Sequence, residues 1–406
     1  MSERIPIRAT ASVLLLSFFA MIGLVAKSPD KFLYDEPYFA NYALLLRQDG
    51  FTPKFFNALN AAPGPLCAVV QTIFVPATHL RPVGMRFVNV FLLVLLVLVL
   101  TSWLKSEGEH YWIAGLSVLV VPMTWVVSGM ALSEISAMLF VTLSLYLQLR
   151  GLGAVEQTNR KSLWFLGAGI CLGVAIWGRQ PYLLLAGVPV PIALIDRRDR
   201  TPAMIFFCAA AALSIPLFVI WRGLVPPAMH SLHPGLTVVH GLLSFGYAGF
   251  CFFLLAPRHR WMPAKVIIAL LVLTTVVNAS LGAYAIFPVR SLFQRFLPPT
   301  LMPAYGELAG SLFLGLGAVF LATLLRMTWT ERHDTRRLTI HAGLLCICAA
   351  PLLDPHQYSS RYTAMCLPYL ILTAQPWRQW KLDTAVTAAV GCGLGFISLY
   401  GYFFSH

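Results

Sequence analysis

Apolar runs of about 20 residues recur along this chain from one end to the other, and no other feature constrains its fold as strongly. A run of that length matches the hydrocarbon thickness of a bilayer when it is helical. Backbone in lipid must satisfy its own N–H and C=O groups, so runs such as 7–26 and 87–104 can cross only as helices. The chain therefore reads as all-α and polytopic, and 58% hydrophobic with 11% charged residues agrees. A formal net charge of +13 would suggest nucleic acid in a soluble protein. In a membrane protein the basic residues instead hold loops on the cytoplasmic face and meet anionic lipid, so no nucleic-acid partner is expected. Eight cysteines are scattered through apolar segments, with only Cys67 near a wet loop. They suggest neither a disulfide framework nor a zinc site, and Cys346 and Cys348 fall on different faces of a helix.

Topology turns on one segment. The first run is preceded by Arg4, carries Arg8 near its start and has no small-residue cleavage site after it, so it reads as an uncleaved span entering from the cytoplasm. Residues 65–80 are apolar but short, carry Pro76, and have Pro63 and Pro65 at their mouth. If they do not cross, the basic clusters at Lys105, Arg160–Lys161, Arg197–Arg200, Arg258–Lys265, Arg332–Arg337 and Arg378–Lys381 all fall inside; if they cross, all fall outside. The segment is therefore expected to lie in the interface or as a half-helix. Spans are expected near 7–27, 87–104, 112–128, 135–149, 163–179, 181–195, 203–221, 237–256, 266–287, 307–326, 339–353, 362–377 and 384–403. That makes about 13, with the N-terminus inside and the C-terminus outside. No fixed-period repeat or low-complexity stretch is visible, which gives solenoid and transporter-repeat architectures no support.

This parity gathers polar residues at the outer face. They are Asp35 and Glu36 from the first loop, Glu134, Arg179 and Gln180, His230 and His233, Arg290 and Arg295, and Asp354, His356, Gln357, Arg361 and Tyr362. Ionisable groups at an apolar slab cost several kcal/mol each unless paired or wet, so the gathering is a candidate site. For Arg290, Arg295 and the histidines an ordinary interfacial role is the plainer reading. Asp35-Glu36-Pro37 also reads as a helix start, with Asp35 as N-cap before a stripe of Phe39, Tyr42, Ala43 and Leu46. A carboxylate there would need a partly desolvated site to act as a base.

The ordered segments DEPYF, FNALNAAPGPL, RFVNVFLL, MALSEISAMLF and GRQPYL, over about residues 30–185, resemble the polytopic GT-C glycosyltransferases that use polyprenyl-phosphate sugars. Within these they are most similar to the family of the dolichyl-phosphate-glucose alpha-1,2-glucosyltransferase of the N-glycan pathway. The resemblance implies a single GT-C-like domain. Residues 28–86 would form a first extracytoplasmic loop with two membrane-surface helices at 37–48 and 64–80, 87–200 the rest of a catalytic module, and 201–406 variable C-terminal helices. It places a catalytic acid at Asp35 and a second acidic position at Glu134.

The expected reaction is transfer of a sugar from a polyprenyl-phosphate donor to a hydroxyl of a glycan or lipid-linked acceptor, with inversion. Asp35 is expected as the base, with Glu36 as the alternative. Arg361 and Arg179 are expected to bind the donor phosphate through charge-assisted hydrogen bonds, with Tyr362, Gln180 and His356 adding neutral donors. Phosphate is a good leaving group, so the second acid of glycoside hydrolysis is not needed. No D-x-D spacing is present, and metal-independence is expected, the alternative being a divalent cation held by the oxygens of Asp35, Glu36 and Glu134. The rival class is a transporter or flippase of lipid-linked sugars, which should carry charge near the bilayer midplane. The expected location is a bacterial inner membrane with the site facing the periplasm, the alternative being the endoplasmic reticulum.

Overall fold

The computed structural model of the protein describes residues 4–105, 111–153, 158–195, 200–231, 235–259, 261–280, 284–353, 358–376 and 381–404. Among them every regular element is helical. The helices are α1 (Arg4–Ala26), α2 (Glu36–Asp49), α3 (Pro53–Ala58), α4 (Leu66–Thr78), α5 (Pro82–Leu104), α6 (Tyr111–Leu116), α7 (Pro122–Gly129), α8 (Glu134–Leu152), α9 (Thr158–Gly178) and α10 (Pro189–Ile195). They continue with α11 (Arg200–Trp221), α12 (Val238–Leu255), α13 (Ala264–Ser280), α14 (Arg290–Phe296), α15 (Met302–Thr330), α16 (Thr335–Ala349), α17 (Arg361–Ala364), α18 (Leu367–Ala374) and α19 (Leu382–Phe404).

Nine helical segments among the described residues are long and apolar enough to cross a bilayer, so the chain is an integral, multi-pass membrane protein. The pair spanning Tyr111–Val120 and Pro122–Gly129 makes a tenth if its 84° bend is allowed. The bend sits at Pro122, which has no N–H to continue the upstream helix. Several of the 13 expected spans differ in form. Residues 181–195 divide into a 3₁₀ helix, Gln180–Gly187, and α10, with Gly187 and Pro189 at the break. Residues 362–377 divide into α17 and α18, with Pro368 near the start of α18, and α13 has 17 residues. Residues 65–80 form α4, which packs against α2 and α5 and keeps both its ends at one end of the bundle. The first loop holds α3 as well as α2 and α4, three helices where two were expected.

Pairs of packed helices build the bundle, α8 on α9 and α13 on α15 running antiparallel, and α9 on α11, α12 on α15, and α19 on α1 and α7 running parallel. Glycine permits the closest approach, since a Cβ at Gly246 of α12 would meet the Phe313 carbonyl of α15, and one at Gly317 the Leu242 carbonyl. α8 and α12 are the most enclosed spans, and α1 and α11 are mostly open to the surroundings. Alternation of helix direction brings the first loop, the start of α5, the start of α8, the end of α9 and residues 358–366 to one end. At the opposite end Arg258 pairs with Asp383.

Candidate active site

The residue that organises this end is Arg86, in the second turn of α5 and fully buried. A guanidinium has five N–H donors and no acceptor, so burial obliges it to find five partners. It does. Nε and Nη2 fork onto Glu36 at 2.9 and 2.7 Å, Nη1 donates to Ser28 Oγ at 2.8 Å and the Pro29 carbonyl at 2.7 Å, and Nη2 also donates to the Lys31 carbonyl at 2.8 Å. The 28–36 stretch is thereby wrapped around one cation.

Glu36 is equally enclosed. Besides the fork its oxygens accept from Leu33 N and from Ala131 N, both at 2.9 Å. Its four lone-pair positions are met by four donors. Asn89, one turn along α5 from Arg86, donates through Nδ2 to the Met130 and Leu132 carbonyls at 2.6 and 2.8 Å. Together Glu36 and Asn89 satisfy the extended backbone between α7 and α8, which inside a bundle would otherwise carry unpaired groups. That elbow delivers Glu134 as the first residue of α8, where a helix N-terminus favours an acid.

Asp35 stands differently. It occupies the N-cap position of α2 but its side chain caps nothing. Oδ2 instead accepts from Arg361 Nη2 at 2.8 Å, across 326 positions of sequence, and the Asp35 side chain is 43% exposed. Arg361 also donates through Nε to Ser359 Oγ at 3.3 Å. Burial alone would lower its pKa, but the carboxylates of Glu134 and Asp35 outweigh burial and raise it, so the guanidinium stays charged. Glu134 is fully buried, and its Oε1 accepts from Arg179 Nη2. Its Oε2 and the Arg179 Nε have no hydrogen-bond partner among the described residues. Two acids and two arginines from four distant stretches thus share one corner, with two buried polar atoms left over to meet a polar ligand.

The remaining expected residues divide. Gln180 donates Nε2 to the Ala62 carbonyl and so holds the proline-glycine turn. In that turn a Cβ at Gly64 would collide with the Trp177 carbonyl. Tyr362 lies beside Tyr358, edge to face at 6.1 Å. His356 falls outside the described residues, as do Asp354, Gln357 and His233. His230 lies in the 222–231 loop within 3.1 Å of the Val225 carbonyl, and Arg290 lies over Phe287 with Arg295 exposed on α14; none of these contacts involves the acids. A groove of about 650 Å³ along α13 is lined by Lys265, Ile268, Ala269, Val272, Leu273 and Val276, and none of the site residues borders it.

Three residues outside the expected set hold the corner together. Arg86 and Asn89 sit at i and i+3 at the head of an apolar helix, a spacing that puts an uncompensated charge and an amide on one face and signals a buried partner. Tyr182 donates its hydroxyl to the Met365 carbonyl at 3.0 Å, tying the stretch after Arg179 to the stretch after Arg361. A tyrosine in an apolar run carries no such signal.

The sequence profile of the family described as dolichyl-phosphate-mannose-protein mannosyltransferase matches residues 65–221, from the mouth of α4 to the end of α11. No curated protein sequence matches the chain. Among solved structures, the chain is similar to ArnT from Cupriavidus metallidurans in the apo state, at 15% identity over 97% of this chain and 76% of that one, with a TM-score of 0.47. The same protein bound to undecaprenyl phosphate gives 16% identity, the same coverage and a TM-score of 0.45. The Archaeoglobus fulgidus oligosaccharyltransferase tethered with an acceptor peptide gives 14% identity over 91% of this chain and 49% of that one, with a TM-score of 0.49.

Proposed function

We propose that the chain is a GT-C-type membrane glycosyltransferase that moves a sugar from a polyprenyl-phosphate donor to an acceptor hydroxyl at the extracytoplasmic face. The observation that carries this reading is the contact between Asp35 and Arg361 beside the Glu134–Arg179 pair. It sets a partly exposed carboxylate against cations able to bind phosphate. The family profile over residues 65–221 supports the same class, and mannose joins glucose as a donor sugar to be offered. Basic residues at the opposite end support the sidedness. Among the described spans, charged side chains keep close to helix ends, which favours a transferase over a transporter with charge at the midplane.

In this reading Arg361 and Arg179 bind the phosphate and stabilise the charge that grows as the bond to the anomeric carbon breaks. Asp35 takes the proton from the acceptor hydroxyl as it attacks in line, and the product is inverted. While Arg361 is on Asp35 its guanidinium occupies Oδ2; drawing it to the incoming phosphate frees that oxygen for the acceptor hydroxyl, so donor binding arms the site. Glu36 positions Asp35 through the turn it closes, and Glu134 orients Arg179. Arginine neutralises the phosphate, so a chelator leaves the rate unchanged. Gln180 and Tyr362 support the corner as neutral donors.

The test is sugar transfer by purified protein in nanodiscs, offered polyprenyl-phosphate mannose and glucose with glycan and lipid-linked acceptors. Asp35→Asn lowers transfer by about 10²–10⁴-fold with folding intact. Undiminished transfer removes Asp35 from the role of base, and a wild-type protein that consumes no donor refutes the class.

A further inference from the structure

The turn that delivers Asp35 is strained at one position. Tyr34 has φ = 51°, in the left-handed region that side chains larger than glycine seldom occupy. The turn is closed on both sides of it. Leu33 N donates to Glu36 Oε2 at 2.9 Å and Glu36 N donates to the Leu33 carbonyl at 3.1 Å, so the buried Arg86–Glu36 pair enforces the strain.

The strain turns the Tyr34 ring outward. The residue is 50% exposed, immediately before Asp35, and meets Tyr402 edge to face with centroids 4.8 Å apart. Tyr402 comes from the last turn of α19, the far end of the chain. Its neighbour Phe403 is buried and lies 5.0 Å from the Arg86 guanidinium, which anchors this end of α19 to the same cation that shapes the turn. An aromatic belt at the membrane interface would account for half-exposed tyrosines. It would not account for a left-handed backbone, nor for a partner ring whose own neighbour is anchored on Arg86.

Resting on the donor class given above, we propose that Tyr34 and Tyr402 form an aromatic corner that receives the hexose ring of the donor beside Asp35, and that this corner sets which sugar is accepted. The faces of aromatic rings are electron-rich and their rims electron-poor. The C–H face of a pyranose therefore packs on such a face. Epimers differ in which ring positions carry an axial hydroxyl, and so in how much continuous C–H face they offer to the rings.

The experiment separates sugar from lipid phosphate. Dissociation constants are measured for the full-length protein in detergent with a short-chain polyprenyl-phosphate mannose, its glucose counterpart and the same polyprenyl phosphate without sugar. The proteins are wild type, Tyr34→Leu, Tyr402→Leu and Tyr402→Phe, each first checked for an unchanged melting temperature. Each leucine variant is expected to weaken the preferred sugar lipid by about three- to tenfold and to leave the sugar-free lipid within about twofold, with Tyr402→Phe, which keeps the ring, close to wild type. Equal weakening of all three lipids, or no change in any, overturns the proposal while leaving the donor class standing. A wild-type protein that binds none of the three lipids overturns both.

Discussion

Removing either partner of the Arg86–Glu36 pair should cost far more than removing both. Both side chains are fully buried, so Arg86→Met leaves a carboxylate in a dry site, and Glu36→Leu leaves a guanidinium with two of its donors unfilled. Breaking a buried ion pair from one side costs about 3–5 kcal/mol, whereas replacing both members with apolar groups is often close to neutral. Here the double variant is not neutral, because Leu33 N and Ala131 N lose the acceptor that Glu36 supplies. At about 1–3 kcal/mol for each of two buried unpaired donors, the double variant should be destabilised by roughly 2–6 kcal/mol. Two single losses of about 4 kcal/mol against a joint loss of about 4 give a coupling near 4 kcal/mol, beyond the usual range for neighbours because each single variant strands a charge. Equilibrium unfolding in mixed micelles measures all four corners of the cycle. Additive effects would refute the reasoning, since they would mean that neither charge depends on the other for its burial.

Other outcomes follow from the same corner. Arg361→Lys keeps the charge but loses the planar fork and the bond to Ser359, and it should reduce transfer at least about tenfold; Arg361→Gln should reduce it about 10²-fold, read as initial rates with saturating acceptor. Gly64→Ala drives a methyl into the Trp177 carbonyl and pushes the turn away from Gln180, so transfer should fall while a variant at the unhindered Gly23 leaves it unchanged. Burial pushes the Cys67 thiol up to about 12, so at pH 8 it is protonated and should resist maleimide until the protein is unfolded, as followed by intact-mass measurement.

The class of the molecule was legible at once, because a run of 20 apolar residues admits one solution in lipid, and Pro76 with the distribution of arginines was enough to keep α4 from crossing. Local punctuation also came through, as at Asp35 before Pro37. Its side chain did not, because the N-cap pattern says where a helix begins but not whether a distant arginine will outbid the backbone for the carboxylate. Asp35 and Glu36 are neighbours of like charge and look interchangeable. Only the packing of α5 and the elbow before α8 distinguishes them, by surrounding one with four donors and leaving the other partly open to solvent and paired with Arg361. Periodicity and composition are properties of a few successive residues, whereas the partners of Arg86, Glu134 and Arg361 lie tens to hundreds of positions away. Helix packing alone decides which of them meet.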